Sequence, residues 1–186
     1  MHVILCYVSC SLFCFYCSLS LICLGVCQCG FRLFFMLAFT FILIYFLDVK
    51  IFNTQLSILN NLINNNKIIS SIFVCLCFLF IINGCNFVDG FNGLLIIHSI
   101  IILIILYFIN SYNSNVDYLK YFILLTIIAC SSVLFYNFPR AKIFLGDGGA
   151  YLLGSLISLI IIELSNLNKL ISPFFFAGLL FYVFSF

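Results

Sequence analysis

Apolar runs recur from the start of the chain to its last residue, and only short polar stretches separate them. Breaks in hydrophobicity divide the sequence into Val3 to Val26, Leu33 to Leu47, Ile68 to Ile82, Leu94 to Ile109, Tyr121 to Tyr136, Ala150 to Ile162 and Leu170 to Phe186. With 66% of its 186 residues hydrophobic and 6% charged, the chain cannot be a water-soluble domain. A net charge of +2, spread thinly, excludes a nucleic-acid footprint or a polybasic surface module. The partner is membrane lipid.

Without water in the hydrocarbon core, a spanning chain must satisfy its backbone as helices or as a closed barrel. Barrel strands alternate apolar and polar residues, whereas Ile96 to Ile109 is apolar on every side, which selects helices. The expected fold is all-α, a polytopic transmembrane helix bundle of about seven segments. Several runs fall short of the roughly 20 residues that a span needs. They must extend into their flanks, tilt little, or lie inside the bundle. Hydrophobic runs that continue to the end also argue against a cleaved signal peptide. The eleven Cys crowd toward the beginning in apolar surroundings without His at ligand spacing, so they read as inert thiols rather than disulfides or a zinc site.

Tyr45, Tyr107, Tyr112, Tyr118, Tyr121, Tyr136 and Tyr151 fall at or near segment ends, where an amphipathic ring suits the headgroup region. Asp48 to Lys67 is Asn-rich and reads as a solvated loop with room for a short interfacial helix. Two segments separate the loop from Asn83 to Gly93 from the loop from Asn137 to Gly149, so both emerge on one membrane face. Asn110 to Lys120 and Glu163 to Lys169 fall on the other. Arg32, Arg140 and Lys142 on the first face oppose Lys50, Lys67, Lys120 and Lys169 on the second, a distribution that does not orient the chain.

Ionisable groups at a helix centre cost about 2.5 to 3.5 kcal/mol on insertion scales, which makes each acid a functional candidate. Asp48, Asp117 and Glu163 lie beside the far-face loops and read as solvated or interfacial. Asp89 differs, because Asn83, Asn86, Asp89 and Asn92 recur every three residues and gather their oxygens on one side of a helical turn. Such oxygens suit a hard cation such as magnesium, or a polar substrate. An Asn-rich, Gly-broken turn is the bland alternative. Asp147 sits in Gly146-Asp147-Gly148-Gly149, at the start of an apolar segment whose first amides suit an anion. Arg140 and Lys142 add positive charge suited to phosphate, unless they merely snorkel at the membrane edge. Together the two loops describe a metal-and-phosphate site beside lipid, where apolar surroundings strengthen electrostatics.

These residues resemble the polyprenyl-phosphate N-acetylhexosamine-1-phosphate transferases, the MraY and WecA group within glycosyl transferase family 4. The matching pieces run from Asn83 to Leu94 and from Phe144 to Gly149, with Asn137 ten residues ahead of Asp147. Arg32 is similar to a basic residue that follows the family's first acidic loop. The resemblance implies a magnesium-dependent enzyme of the bacterial inner membrane with cytoplasmic active-site loops. It implies transfer of N-acetylhexosamine-1-phosphate from a UDP-sugar to polyprenyl (undecaprenyl) phosphate with release of UMP, in cell-wall or surface-polysaccharide biosynthesis. Asp89 and Asp147 are the implied catalytic acids, and Asp147 and Asn86 the implied magnesium ligands. Asn83, Asn86, Asn92, Asn137, Arg140, Lys142 and Phe144 are the implied substrate-binding set, with Phe144 beside the uracil. A homodimer is among the assemblies open to it.

The chain departs from the pattern in several places, among them Ala150, where many members have Ser. No adjacent acids occur, although family members carry an Asp-Asp pair ahead of the counterpart of Arg32. Asn92 stands where many members have Asp. No His-rich stretch follows the last matched segment, so the expectation is of a membrane-embedded transferase domain over residues 31–186, truncated before that loop, behind an atypical Cys-rich segment over residues 1–30. His98, inside an apolar run, reads as a packed helix residue. The competing readings are a cation transporter or channel, and an inactive remnant.

Overall fold

The computed structural model describes residues 29–52, 54–90, 93–114, 116–139, 143–167 and 172. Its elements are α1 (Cys29–Leu47), α2 (Ser57–Asn65), α3 (Lys67–Val88), α4 (Leu94–Ile109), a π-helical turn (Asn110–Ser114), α5 (Asp117–Asn137) and α6 (Gly146–Leu167). Among the described residues there is no strand. Four helices are long and apolar enough to cross a membrane: Lys67–Val88, Leu94–Tyr112, Asp117–Asn137 and Gly146–Leu167. A shorter apolar stretch, Met36–Phe46, accompanies them. The expected segments Val3 to Val26 and Leu170 to Phe186 lie outside the described residues, apart from Ser172.

The short apolar runs lengthen by recruiting polar flanks. Ile68 to Ile82 becomes a 22-residue helix, about 33 Å at 1.5 Å per residue, which matches the hydrocarbon thickness. The expected loop from Asn83 to Gly93 is therefore corrected: α3 runs to Val88, and only the turn after it is loop. Similarly, Asn137 ends α5 and Gly146 opens α6, so the second loop is confined to residues 138–145. Glu163 lies inside α6, not in a connection. Polar side chains enter the helices by bonding to carbonyls one turn back. Asn83 Nδ2 donates to the Leu79 carbonyl at 2.8 Å, Thr126 Oγ1 to Phe122 at 2.8 Å, and Ser158 Oγ to Gly154 at 2.7 Å. A donor so satisfied no longer needs water.

α6 is the most enclosed of the long helices and α5 the most exposed toward lipid. α6 packs chiefly on α3, α5 on α4, and α1 on α3. One buried cluster joins Cys85 and Val88 of α3 with Leu95, Leu103 and Leu106 of α4, Ile123 of α5, and Ile157 and Ile161 of α6. A second joins Ile44 of α1 with Val74, Phe78 and Ile82 of α3 and Tyr151 and Ile162 of α6. Gly154 makes the α3–α6 contact close: a Cβ placed there would lie 2.9 Å from the Ile82 Cα and 3.2 Å from Cys85 Sγ.

This packing sorts the connections onto two ends. At one end, the Gly93 turn abuts Leu134 and Phe138 at the close of α5, and Asn86 near the close of α3 meets Tyr151 in α6. At the other, Asn166 Nδ2 donates to the Lys50 carbonyl at 2.8 Å while its Oδ1 accepts from the Phe52 N–H at 3.1 Å. Tyr118 donates to Glu163 there at 2.8 Å. The short helix anticipated in the Asn-rich connection is α2, with Ile63 buried against the protein.

Candidate functional site

The site end collects the close of α3, the opening of α4, the close of α5 and the opening of α6, as the crossing order requires. Asp89 caps α3, and its N–H donates to the Cys85 carbonyl at 3.2 Å. Gly93, at φ 75°, turns the chain into α4 with the left-handed backbone that suits glycine. Asp147 occupies the first turn of α6, directly after Gly146 at φ 66°. The first N–H groups of α6 lack carbonyls one turn back, and the helix dipole adds partial positive charge there.

The charge of Asp147 reaches Asp89. Burial, and then the charge of Asp147, push the Asp89 carboxyl up to about 6. The side chains of Asp89 and Asp147 thus share one electrostatic neighbourhood although the chain separates them by two spans. Both lie at helix ends rather than at midspan.

Asn86 is half-buried and donates through Nδ2 to Tyr151 Oη at 3.3 Å. Asn83 commits its Nδ2 to the α3 backbone, leaving Oδ1 for other contacts. Asn137 is buried, 3% exposed, and donates to the Ile143 carbonyl at 2.8 Å, bracing the connection to α6. Its buried Oδ1 has no hydrogen-bond partner among the described residues. Phe144 stands 70% exposed at the same end, with Phe87 and Phe138 also exposed. The Phe138–Pro139 peptide bond is cis. Asn92, Arg140 and Lys142 lie outside the described residues. Arg32 lies near the start of α1, the end remote from the Lys50 turn.

Tyr151 escaped sequence reasoning, which assigns it to the headgroup belt. It is instead buried, 7% exposed, between α3 and α6. Its position four residues after Asp147 on a helix is the signal that puts the two side chains on one face.

Among the described residues no three His, Cys, Asp or Glu side chains gather as a metal cluster. The oxygen donors that the helix ends bring to this end of the bundle include two carboxylates, Asp89 and Asp147, and the Asn86 carboxamide one turn before Asp89. That set fits magnesium, which commonly takes one or two carboxylates and fills its remaining positions with water and substrate phosphate.

Residues 6–165 match the model of the family described as Glycosyl transferase family 4. The chain belongs to that family. The match begins inside the Cys-rich stretch and takes in every helix described above except the last residues of α6. No curated protein and no solved structure matches the chain. Family membership together with the apolar helices identifies an integral membrane protein with a transferase reaction.

Proposed function

We propose that this glycosyl transferase family 4 member moves an N-acetylhexosamine-1-phosphate from a UDP-sugar to a polyprenyl phosphate. An oxygen of the lipid phosphate attacks the sugar-linked phosphorus, the bond to the bridging oxygen breaks, and UMP leaves with the electron pair. The observation that carries the reading is the placement of Asp89, at the close of α3, and Asp147, in the first turn of α6, at one end of the bundle. A half-buried carboxylate beside a second acid is a setting that a cation favours.

Magnesium, when bound, supplies charge neutralisation between two polyanions. Asp147 and Asn86 would hold it. Asp89, with Asn83 and Asn92, orders the diphosphate and sugar at the close of α3. The opening amides of α6, with Arg140 and Lys142, receive phosphate oxygens. Asn137 holds the connection that carries Phe144, and the exposed Phe144 ring flanks the uracil. The acceptor reaches the site from the bilayer, its polyprenyl chain remaining in lipid. The site end faces the cytoplasm of a bacterial inner membrane, and the product enters cell-wall or surface-polysaccharide synthesis.

The test is an assay in membranes with a labelled UDP-N-acetylhexosamine, polyprenyl phosphate and magnesium. The expected product is a lipid-linked sugar diphosphate that is lost on chelation and in Asp147→Asn. Robust activity of Asp147→Asn would remove the central residue. Ion flux through liposomes without any sugar transfer would favour the channel reading instead.

A further inference from the structure

We propose that α2 is a membrane-surface foot, its Ile58 and Leu62 side set among the lipid headgroups and first acyl carbons of the leaflet opposite the acids, its Asn61 and Asn64 side in water. The inference stands apart from the transfer reaction, which gives α2 no role.

At about 100° per residue, Ile58, Leu59, Leu62 and Ile63 fall within about 140° of the helix circumference, and Asn60, Asn61, Asn64 and Asn65 share the opposite arc. Protein claims one flank. Ile63 is buried, α2 packs on α3, and Asn60 on the adjoining side accepts from the Thr54 N–H and hydroxyl. Those contacts fix the rotation of the helix and turn the rest of its apolar arc outward. Ile58 is 79% exposed and Leu62 52%. Asn61 and Asn64 are exposed on the other side.

The level at which α2 sits decides what meets that outward side. Asn66 alone separates it from Lys67, where the spanning helix α3 begins. Lys67 Nζ stands 4.8 Å over the Tyr45 ring, a long cationic side chain and an amphipathic ring of the kind that gathers at headgroup depth. Exposed apolar residues flank α2 as well, with Phe52 and Leu56 ahead of it and Ile68 just behind. From there Ile69, Ile72, Leu76 and Phe80 recur along one side of α3, all exposed, as on a helix facing lipid. The open apolar side of α2 thus stands at the boundary where that lipid-facing stripe begins. Water there would leave both aliphatic side chains unburied, whereas the acyl boundary accepts them and leaves the amides wet.

The chain contains no Trp, so a single introduced indole reports its own surroundings. Ile58→Trp, Leu62→Trp, Asn61→Trp and Asn64→Trp all fall at exposed positions, and two per side keep the test open if one variant fails to fold. Each full chain is reconstituted in phosphatidylcholine vesicles whose acyl chains carry bromine close to the headgroup. Bromine should lower the emission of Ile58→Trp and Leu62→Trp at least about twofold more than that of Asn61→Trp and Asn64→Trp, because only the apolar side reaches the acyl boundary. Iodide present on both sides of the membrane should show the reverse order. Equal iodide quenching of all four variants, with no effect of bromine, would put the apolar side in water and overturn the proposal. Ile58→Trp and Leu62→Trp shielded from bromine and iodide alike would reveal a protein neighbour there, a second copy or another chain, and would overturn it too.

Discussion

At the far end of the bundle Asp48 meets Lys50 at 3.0 Å and Lys67 at 3.1 Å, Glu163 accepts from Tyr118, and Asn166 closes both hydrogen-bonding groups of an extended segment. At the site end burial, and then a neighbouring acid, push the Asp89 carboxyl up, whereas that of Asp48 is held below the usual range by its lysines. The same residue type therefore stands in opposite electrostatic settings a membrane's width apart. One end uses its polar groups to close loops, and the other keeps like charges together at a cost to folding.

The largest expected effect lies at the site end. Asp147→Asn should lower sugar transfer by at least about a hundredfold, the scale of losing one principal electrostatic contact in a transition state, as measured by initial rates at saturating magnesium. Asn166→Ala should leave the catalytic rate within about twofold but cost about 1–2 kcal/mol of stability for its two hydrogen bonds, read from thermal unfolding by circular dichroism. A reversed pattern, with chemistry lost at Asn166 and stability lost at Asp147, would break the contrast between the ends.

Acidity sharpens the contrast further. Asp89 has a pKa of about 6 in the folded chain against 3.8 ordinarily, so the folded state keeps a proton that the unfolded chain has released. Its contribution to stability is fully present below about pH 4 and is lost as pH rises through about 6. Unfolding midpoints without divalent cation should therefore fall across that window, and magnesium should restore them at the upper end. Asp89→Asn should abolish the trend, and Asp147→Asn should shrink it, because burial is the larger cause and remains. Asp48 gives the opposite sign: its pKa is depressed by Lys50 and Lys67, so its contribution is present above about pH 4 and fades as pH falls below that. The smallest effect belongs there. Asp48→Asn should leave transfer untouched and shift unfolding slightly, by an amount that salt erases.

Hydrophobic runs make the helices legible in the sequence, and the crossing order alone brings Asp89 and Asp147 to one face. Helix ends are less legible, because Asn83, Asn86 and Asn137 look like loop residues until their bonds are seen. Asn83 bonds to its own helix, and Asn137 bonds to the connection beyond it, so polarity in the sequence does not mark solvent here. Asn-richness misleads in the same way at the far end. Asn60 Oδ1 accepts from both the Thr54 N–H at 2.8 Å and its hydroxyl at 2.6 Å, and Asn110 Nδ2 donates to the Val116 carbonyl at 3.0 Å. The amides replace strand-like backbone pairing, a use that no periodicity reveals. Tyr151 resists placement from sequence because an aromatic ring with a hydroxyl suits a headgroup belt and a helix interface equally well. Only the packing partner decides between them.

The backbone-close contact at Gly154 divides α6 unequally. About 12 Å of helix lies between it and Gly146, and about 20 Å between it and Leu167, at 1.5 Å per residue. A rocking motion of α6 in a thinner or thicker bilayer would therefore swing the far end on the long arm and the acids on the short one. Placing the contact nearer the reactive groups shelters their spacing from the lipid that surrounds them.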